Sequence, residues 1–352
     1  MRSLRKIAFA GLGLFLLAAV GGFASGGGSK PSWALTDTGV TARFRGLAPV
    51  SAEVAWVAGS AGTILRTVDG GRSWRSVGPP DAAALQFRDI EAFDRDHAVA
   101  LTIGEGDQSR VYVTSNGGRT WAETFRNDEP TAFYDCMTFL DRRHGLALSD
   151  PVNGKFRILA TADGGRSWHV RSTAGMPDAL AGEFAFAASG TCLVSAGGRA
   201  WFASGGGSAA RVFTSADGGR TWSVVDTPVP SGPTAGIYSL AFKDRRHGIA
   251  VGGDFVTPTV APDAAAVSRD GGRTWRTSAV VPGEYRSGAA WVAGSTALAV
   301  GPTGSDLTFD GGRTWTLFDT GSFDAVACAT HGACWASGEQ GRVAVLQWGH
   351  GG

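Results

Sequence analysis

Asp, His and Cys recur in this chain at spacings that invite a metal reading. The most regular set is Asp69, Asn116, Asp163, Asp217, Asp270 and Asp310, each inside the phrase S/T-x-D/N-G-G-R-S/T-W. Calcium takes six to eight oxygens, whereas each phrase offers one carboxylate. Six like phrases on six repeated units cannot converge on one substrate either, so these residues are read as structural. His97, His144, His247 and His331 fall in equivalent turns of different repeats and are expected to stand apart as turn residues. Cys328 and Cys334 flank Ala-Thr-His-Gly-Ala, a spacing that suits a hairpin disulfide. Cys136 and Cys192 lie in different repeats, where both can stay free. The chain has no CxxC for zinc, no haem or iron–sulfur pattern, and no GxGxxG between a strand and a helix. No metal and no cofactor are expected.

The elements that position these residues follow from the repeat itself. Asp-Gly and Asn-Gly are strong hairpin signals because Gly tolerates positive φ. The Asp side chain accepts backbone N–H groups in the turn, and the Trp opens the next strand. The Arg after the two Gly points outward at the tip. Trp74, Trp121, Trp168, Trp222, Trp275 and Trp315 are spaced by 47, 47, 54, 53 and 40 residues, the period of four-stranded propeller blades. Composition agrees: 53 Gly and 18% charged residues in 352 disfavour helical bundles, and 43% apolar residues disfavour disorder.

A seventh unit follows the sixth phrase, over 323–348, and lacks an outer strand. The segment from about Trp33 to Phe44 is expected to supply it and close the ring. The expected fold is therefore all-β, a seven-bladed propeller closed by the N-terminal strand and spanning 33–352. Residues 1–24 combine Arg2, Arg5 and Lys6 with the apolar run Ile7 to Val20 and read as a signal peptide. Residues 25–32 read as a Gly/Ser linker. Removing the leader takes three cations from 32 and leaves 29 against 31 acids, about −2. That balance carries no nucleic-acid footprint. A periplasmic or secreted monomer is expected.

In a propeller, innermost-strand starts and second-strand ends converge at one channel mouth. The charged and aromatic residues assigned there are Arg88, Asp89, Asp135, Asp150, Glu183, Arg199, Tyr238, Asp254, Arg286 and Glu339. They are read as a polar partner-binding surface, with no catalytic residue assigned.

The six phrases resemble the Asp-box (BNR) repeat, which occurs in sialidases, xyloglucanases, sortilin-type receptors and photosynthetic assembly factors. By the sialidase resemblance, Arg88, Arg199 and Arg286 would hold a carboxylate beside Tyr238, Tyr285 and Glu183. However, Phe44-Arg45-Gly46-Leu47 breaks the Phe-Arg-Ile-Pro start of sialidases. By the xyloglucanase resemblance, Asp135 or Asp150 would oppose Asp254. Arg45-Gly46-Leu47, Ala55-Trp56-Val57-Ala58-Gly59 and Val251-Gly252-Gly253-Asp254-Phe255 are similar to the photosystem II stability and assembly factor family. That resemblance implies a non-catalytic extracytoplasmic scaffold for a protein partner, membrane proteins included. A glycan-active or glycan-binding propeller is the alternative.

Overall fold

The computed structural model describes residues 30–330 and 332–349. The expected leader, residues 25–29 of the expected linker, and His331 lie outside the described residues. Seven four-stranded antiparallel sheets follow one another around a ring. Six run in chain order from the channel outward. Blade 1 comprises Phe44–Pro49, Ala55–Gly59, Ile64–Thr67 and Arg75–Ser76. Blades 2, 3, 4, 5 and 6 start with inner strands Gln86–Ala92, Tyr134–Phe139, Leu193–Ala196, Ala235–Phe242 and Gly288–Ala293. Blade 7 has Ala325–Cys328, Cys334–Ser337 and Val343–Trp348, and its outer strand is Pro31–Thr36 from the other end of the chain. The ring closes as the sequence suggests, with the closing strand starting at Pro31, inside the segment read as linker.

Each S/T-x-D/N-G-G-R-S/T-W phrase forms the turn between the two outer strands of blades 1–6. In blade 3, Thr161 Oγ1 donates to Asp163 Oδ1 (2.8 Å) and accepts from Gly165 N (3.0 Å). Asp163 Oδ1 accepts from Ser167 N (2.9 Å), and its Oδ2 accepts from Ser167 Oγ (2.6 Å). Asn116 keeps this pattern by turning its amide nitrogen to Thr120 Oγ1 (2.8 Å). The hydrogen bonds from Ser73 and Thr67 hold the Asp69 carboxyl down at about 2.

The second Gly of the phrase is required twice over. At Gly165, φ is +84°, and an added Cβ would meet Val99 and Val113 of the preceding blade at 3.1–3.2 Å. The Trp that follows packs against that same neighbouring blade. Trp222 joins Leu146, Phe156 and Ile158, and Trp275 joins Trp201 and Val212. The phrase is therefore an inter-blade fastener as well as a hairpin. Cys328 and Cys334 form the expected hairpin disulfide. Cys136 and Cys192, whose pairing the sequence leaves open, are also bonded to each other. They belong to consecutive blades, and adjacent inner segments bring their Cα atoms to 6.1 Å.

Candidate functional site

Four inner strands carry a β-bulge at the same place. Register shifts fall between Phe44 and Gly46, Phe87 and Asp89, Tyr134 and Cys136, and Ile237 and Ser239. The extra residues are Arg45, Arg88, Asp135 and Tyr238. A bulge takes one residue out of the ladder and re-aims its side chain. Repeated around a ring, it turns strand residues into mouth residues.

Blade 4 supplies the counterpart. Residues 184–192 form no regular strand and cross the mouth. The Ala187 carbonyl accepts from Arg88 Nη1 (3.2 Å) and Arg45 Nη1 (3.5 Å). Ser189 Oγ donates to Ser287 O of blade 6 (2.6 Å), and Thr191 Oγ1 meets Ser239 Oγ of blade 5 (2.7 Å). A Cβ at Gly190 would lie 2.6 Å from the Asp89 carboxylate. With Ala185 N donating to Asp150 of blade 3, the segment is a plug pinned to six blades, counting its own.

Beside the plug opens a cleft of about 500 Å³, lined by Arg43, Arg45, Phe186, Tyr238, Phe255 and Tyr285 among others. One wall is aromatic. Phe186 stacks on Tyr238 at 3.8 Å, and Tyr238 meets Tyr285 at 4.7 Å and Phe255 at 6.5 Å. Phe255 is 53% exposed, with Val256 and Val260 exposed on the same loop. The other wall is cationic. Arg43 grips Asp324 through two 2.7 Å bonds, and Arg45 stands 3.7 Å from the same carboxylate. Arg45 Nε is buried with no hydrogen-bond partner among the described residues, and its burial lowers the guanidinium pKa. The cleft thus offers a ring-lined shelf next to guanidinium donors with spare capacity, a fit for a chain carrying apolar and acceptor groups.

The residues assigned from sequence divide three ways. Arg88 and Tyr238 reach the mouth; Tyr238 donates its hydroxyl to Thr234 O (2.7 Å). Asp254 ends the second strand of blade 5, where its Oδ1 caps Val256 N (2.9 Å), and Glu339 lies exposed on a loop. The second group is buried in structural roles. Asp89 accepts from Met137 N (2.6 Å) and Ile90 N (2.8 Å). Asp150 accepts from Ala185 N (2.8 Å). Glu183 is locked by Arg211 and Ser204, and Arg286 by Asp306 (2.6 Å). Burial pushes Asp150 and Glu91 up to about 7 and raises Asp135 and Asp89, with neighbouring carboxylates adding to the last two.

Arg199 forms the third group alone. It was placed at a second-strand end, but Gly197-Gly198 make the inner turn, so Arg199 begins its strand. Its guanidinium lies by Gly271 and Arg273, on the face of the repeated turns, away from the mouth.

The set assigned by resemblance to sialidases does not assemble. Arg286 is 1% exposed and paired, Glu183 is paired, and Arg199 is on the other face. Burial raises the Tyr238 hydroxyl pKa, the wrong direction for a nucleophile. Of the pair implied by the xyloglucanase resemblance, Asp135 is buried on the inner strand of blade 3 and Asp150 on its second strand holds Ala185 N, while Asp254 caps Val256 N. Each described turn histidine pairs with its own Asp, as His97 does with Asp94 at 2.9 Å.

Arg43, Arg45, Phe186 and Phe255 were not assigned from sequence, whereas Asp324 was expected at an inner-strand start of the mouth. A signal existed for some of them. Phe44-Arg45, Phe87-Arg88, Tyr134-Asp135, Tyr285-Arg286 and Phe323-Asp324 repeat an aromatic followed by a charge at blade starts.

Comparison with known proteins adds the fold. No family model matches the chain. No curated protein matches it. Among solved structures, a YCF48 bound to D1 peptide is similar with a TM-score of 0.65 at 13% identity, over 91% of this chain and 97% of that one. YCF48 from Cyanidioschyzon merolae gives 0.63 at 14% identity, over 90% and 99%. The GH74 xyloglucanase from Xanthomonas campestris gives 0.61 at 17% identity, over 90% of this chain and 55% of that one. The chain thus spans about half the length of that enzyme. At these identities the likeness is one of fold.

Proposed function

We propose that the protein is a non-catalytic extracytoplasmic scaffold, a periplasmic or secreted monomer similar in role to a photosystem assembly factor. Its mouth cleft holds an exposed segment of a protein partner, membrane proteins included. One observation carries the reading. The bulged residues Arg45 and Tyr238 line one aromatic and cationic cleft, and the bulged Arg88 holds the carbonyl of Ala187, which also lines it, while the carboxyls suited to hydrolysis are buried, paired or capping. The solved YCF48 with D1 peptide, a similar propeller, supports a peptide as ligand class.

The test is a pull-down from native extracytoplasmic and membrane fractions, with the full chain and a Phe255→Asp variant of unchanged melting temperature. A specific protein retained by the wild type and lost by the variant is expected. If neither bait retains one, the reading fails and a glycan-binding and glycosidase screen takes its place.

A further inference from the structure

The face opposite the mouth has a charge pattern that the partner cleft does not use. The turns between inner strands share this face with the repeated phrases, because backbone bonds tie them within each blade. Gly117 N donates to Asp96 O, Gly164 N to Arg143 O and Gly271 N to Arg246 O, each at 2.9 Å. Every phrase ends its tip with Arg: Arg72, Arg119, Arg166, Arg220, Arg273 and Arg313. All six are exposed. Among the described residues, none of the six has a carboxylate within 4.0 Å. The five phrase carboxylates, kept ionised by hydroxyl and N–H donors of their own turns, offset part of this charge.

The inner turns add more cations, and the grooves between blades collect them. One cleft of about 620 Å³ is lined by Arg142, Arg143 and Arg166 against one carboxylate, Asp163, and another of about 540 Å³ by Arg269, Arg276 and Arg313 against Asp270. A third, of about 480 Å³, holds Arg199 and Arg273. Such grooves have the size and donor chemistry of phosphate-headgroup sites. Two aromatics stand at the same rim: Phe309, 64% exposed, and Trp348, 36% exposed, with ring centroids 6.4 Å apart. The closing strand of blade 7 meets this rim, with Gly349 N donating to Lys30 O (3.1 Å) and Pro31 paired to Trp348. Free cations spread over a broad face, with an aromatic pair at the edge, complement a negative lipid surface.

We propose that this face docks on an anionic phospholipid bilayer, with the Arg-lined grooves taking headgroup phosphates and the mouth held outward. The inference does not rest on the partner reading, because it uses none of the mouth residues.

The test is co-sedimentation of the full chain with vesicles of phosphatidylcholine alone or with about one third phosphatidylglycerol. One variant is Arg220→Ser/Arg273→Ser/Arg313→Ser. A control with equal charge loss is Arg110→Ser/Arg126→Ser/Arg342→Ser, three residues outside these turns. Each basic residue at such a surface contributes about fivefold to partitioning, so the triple variant should lose roughly 100-fold on anionic vesicles at low salt. The control should keep most of its binding, and melting temperatures report whether each variant folds. Equal binding to neutral vesicles by wild type and variant would overturn the proposal and assign association to apolar contact. Binding to heparin or polyphosphate but not to vesicles would also overturn it, making the face a soluble-polyanion site. Equal losses in both variants would reduce the effect to net charge and overturn it as well.

Discussion

The two faces of the ring use the same residue types in opposite ways. At the mouth, most guanidiniums are paired: Arg43 and Arg45 with Asp324, Arg211 with Glu183, and Arg286 with Asp306. On the turn face the six tip arginines are exposed and, among the described residues, have no carboxylate within 4.0 Å; Arg72, Arg166 and Arg220 donate to the Asp carbonyl of their own turn. Carboxyls differ in the same sense. Burial raises Asp89, Asp135 and Asp150 around the channel, whereas donors within the turns lower Asp69 and Asp163 to about 2. The mouth is thus a preorganised short-range surface, built by bulges, whose polar groups are mostly spent on one another. The turn face is a fastener turned inward and a positive field turned outward.

The largest expected effects break either side's packing. Arg211→Ala leaves Glu183 buried and uncompensated, which costs about 3–5 kcal/mol. Trp275→Ala opens a void against Trp201 and Val212 and costs a similar 3–5 kcal/mol. Denaturant unfolding measures both, and a cost near zero for Trp275→Ala would refute the fastener role. A smaller effect sharpens the contrast. Asp163→Ala should cost roughly 1–2 kcal/mol through the lost turn bonds. Asp163→Asn should cost less, because Asn116 already serves in that position.

The pH dependence separates the faces without mutating the turns. Carboxyls raised in the native state hold protons that the unfolded chain releases, so stability should fall as pH rises from about 4 to about 7. Carboxylates held near 2 act the other way: their contribution is complete above about 4 and fades as pH drops towards 2. Melting temperature should therefore peak near pH 4–5. Asp150→Asn should flatten the upper limb and leave the lower one intact. An unchanged upper limb would show that Asp150 does not carry that dependence.

The repeated phrase made the blades, their number and the closing strand legible, because its physics is local. Gly165 and Trp168 sit a few residues from the Asp they serve. The site was less legible because it is set by relations between blades. Arg286 and Glu183 look like surface charges until Asp306 and Arg211 are found opposite them. Arg199 was misplaced because the inner strand of blade 4 is short, so that Gly197-Gly198 became its turn. The 184–192 plug has no counterpart in the repeat and no local signature, yet it decides which mouth atoms stay free.

The most direct test of the mouth as the partner site is site-specific photo-crosslinking in native membrane and extracytoplasmic extract. A photoreactive residue replaces Phe255 in one chain and Arg220 in another, and adducts are mapped to peptide level. The account predicts one protein adduct, confined to one segment of the partner, from position 255 and not from position 220. The same adduct from position 220 alone, or adducts scattered over many proteins at 255, would contradict it.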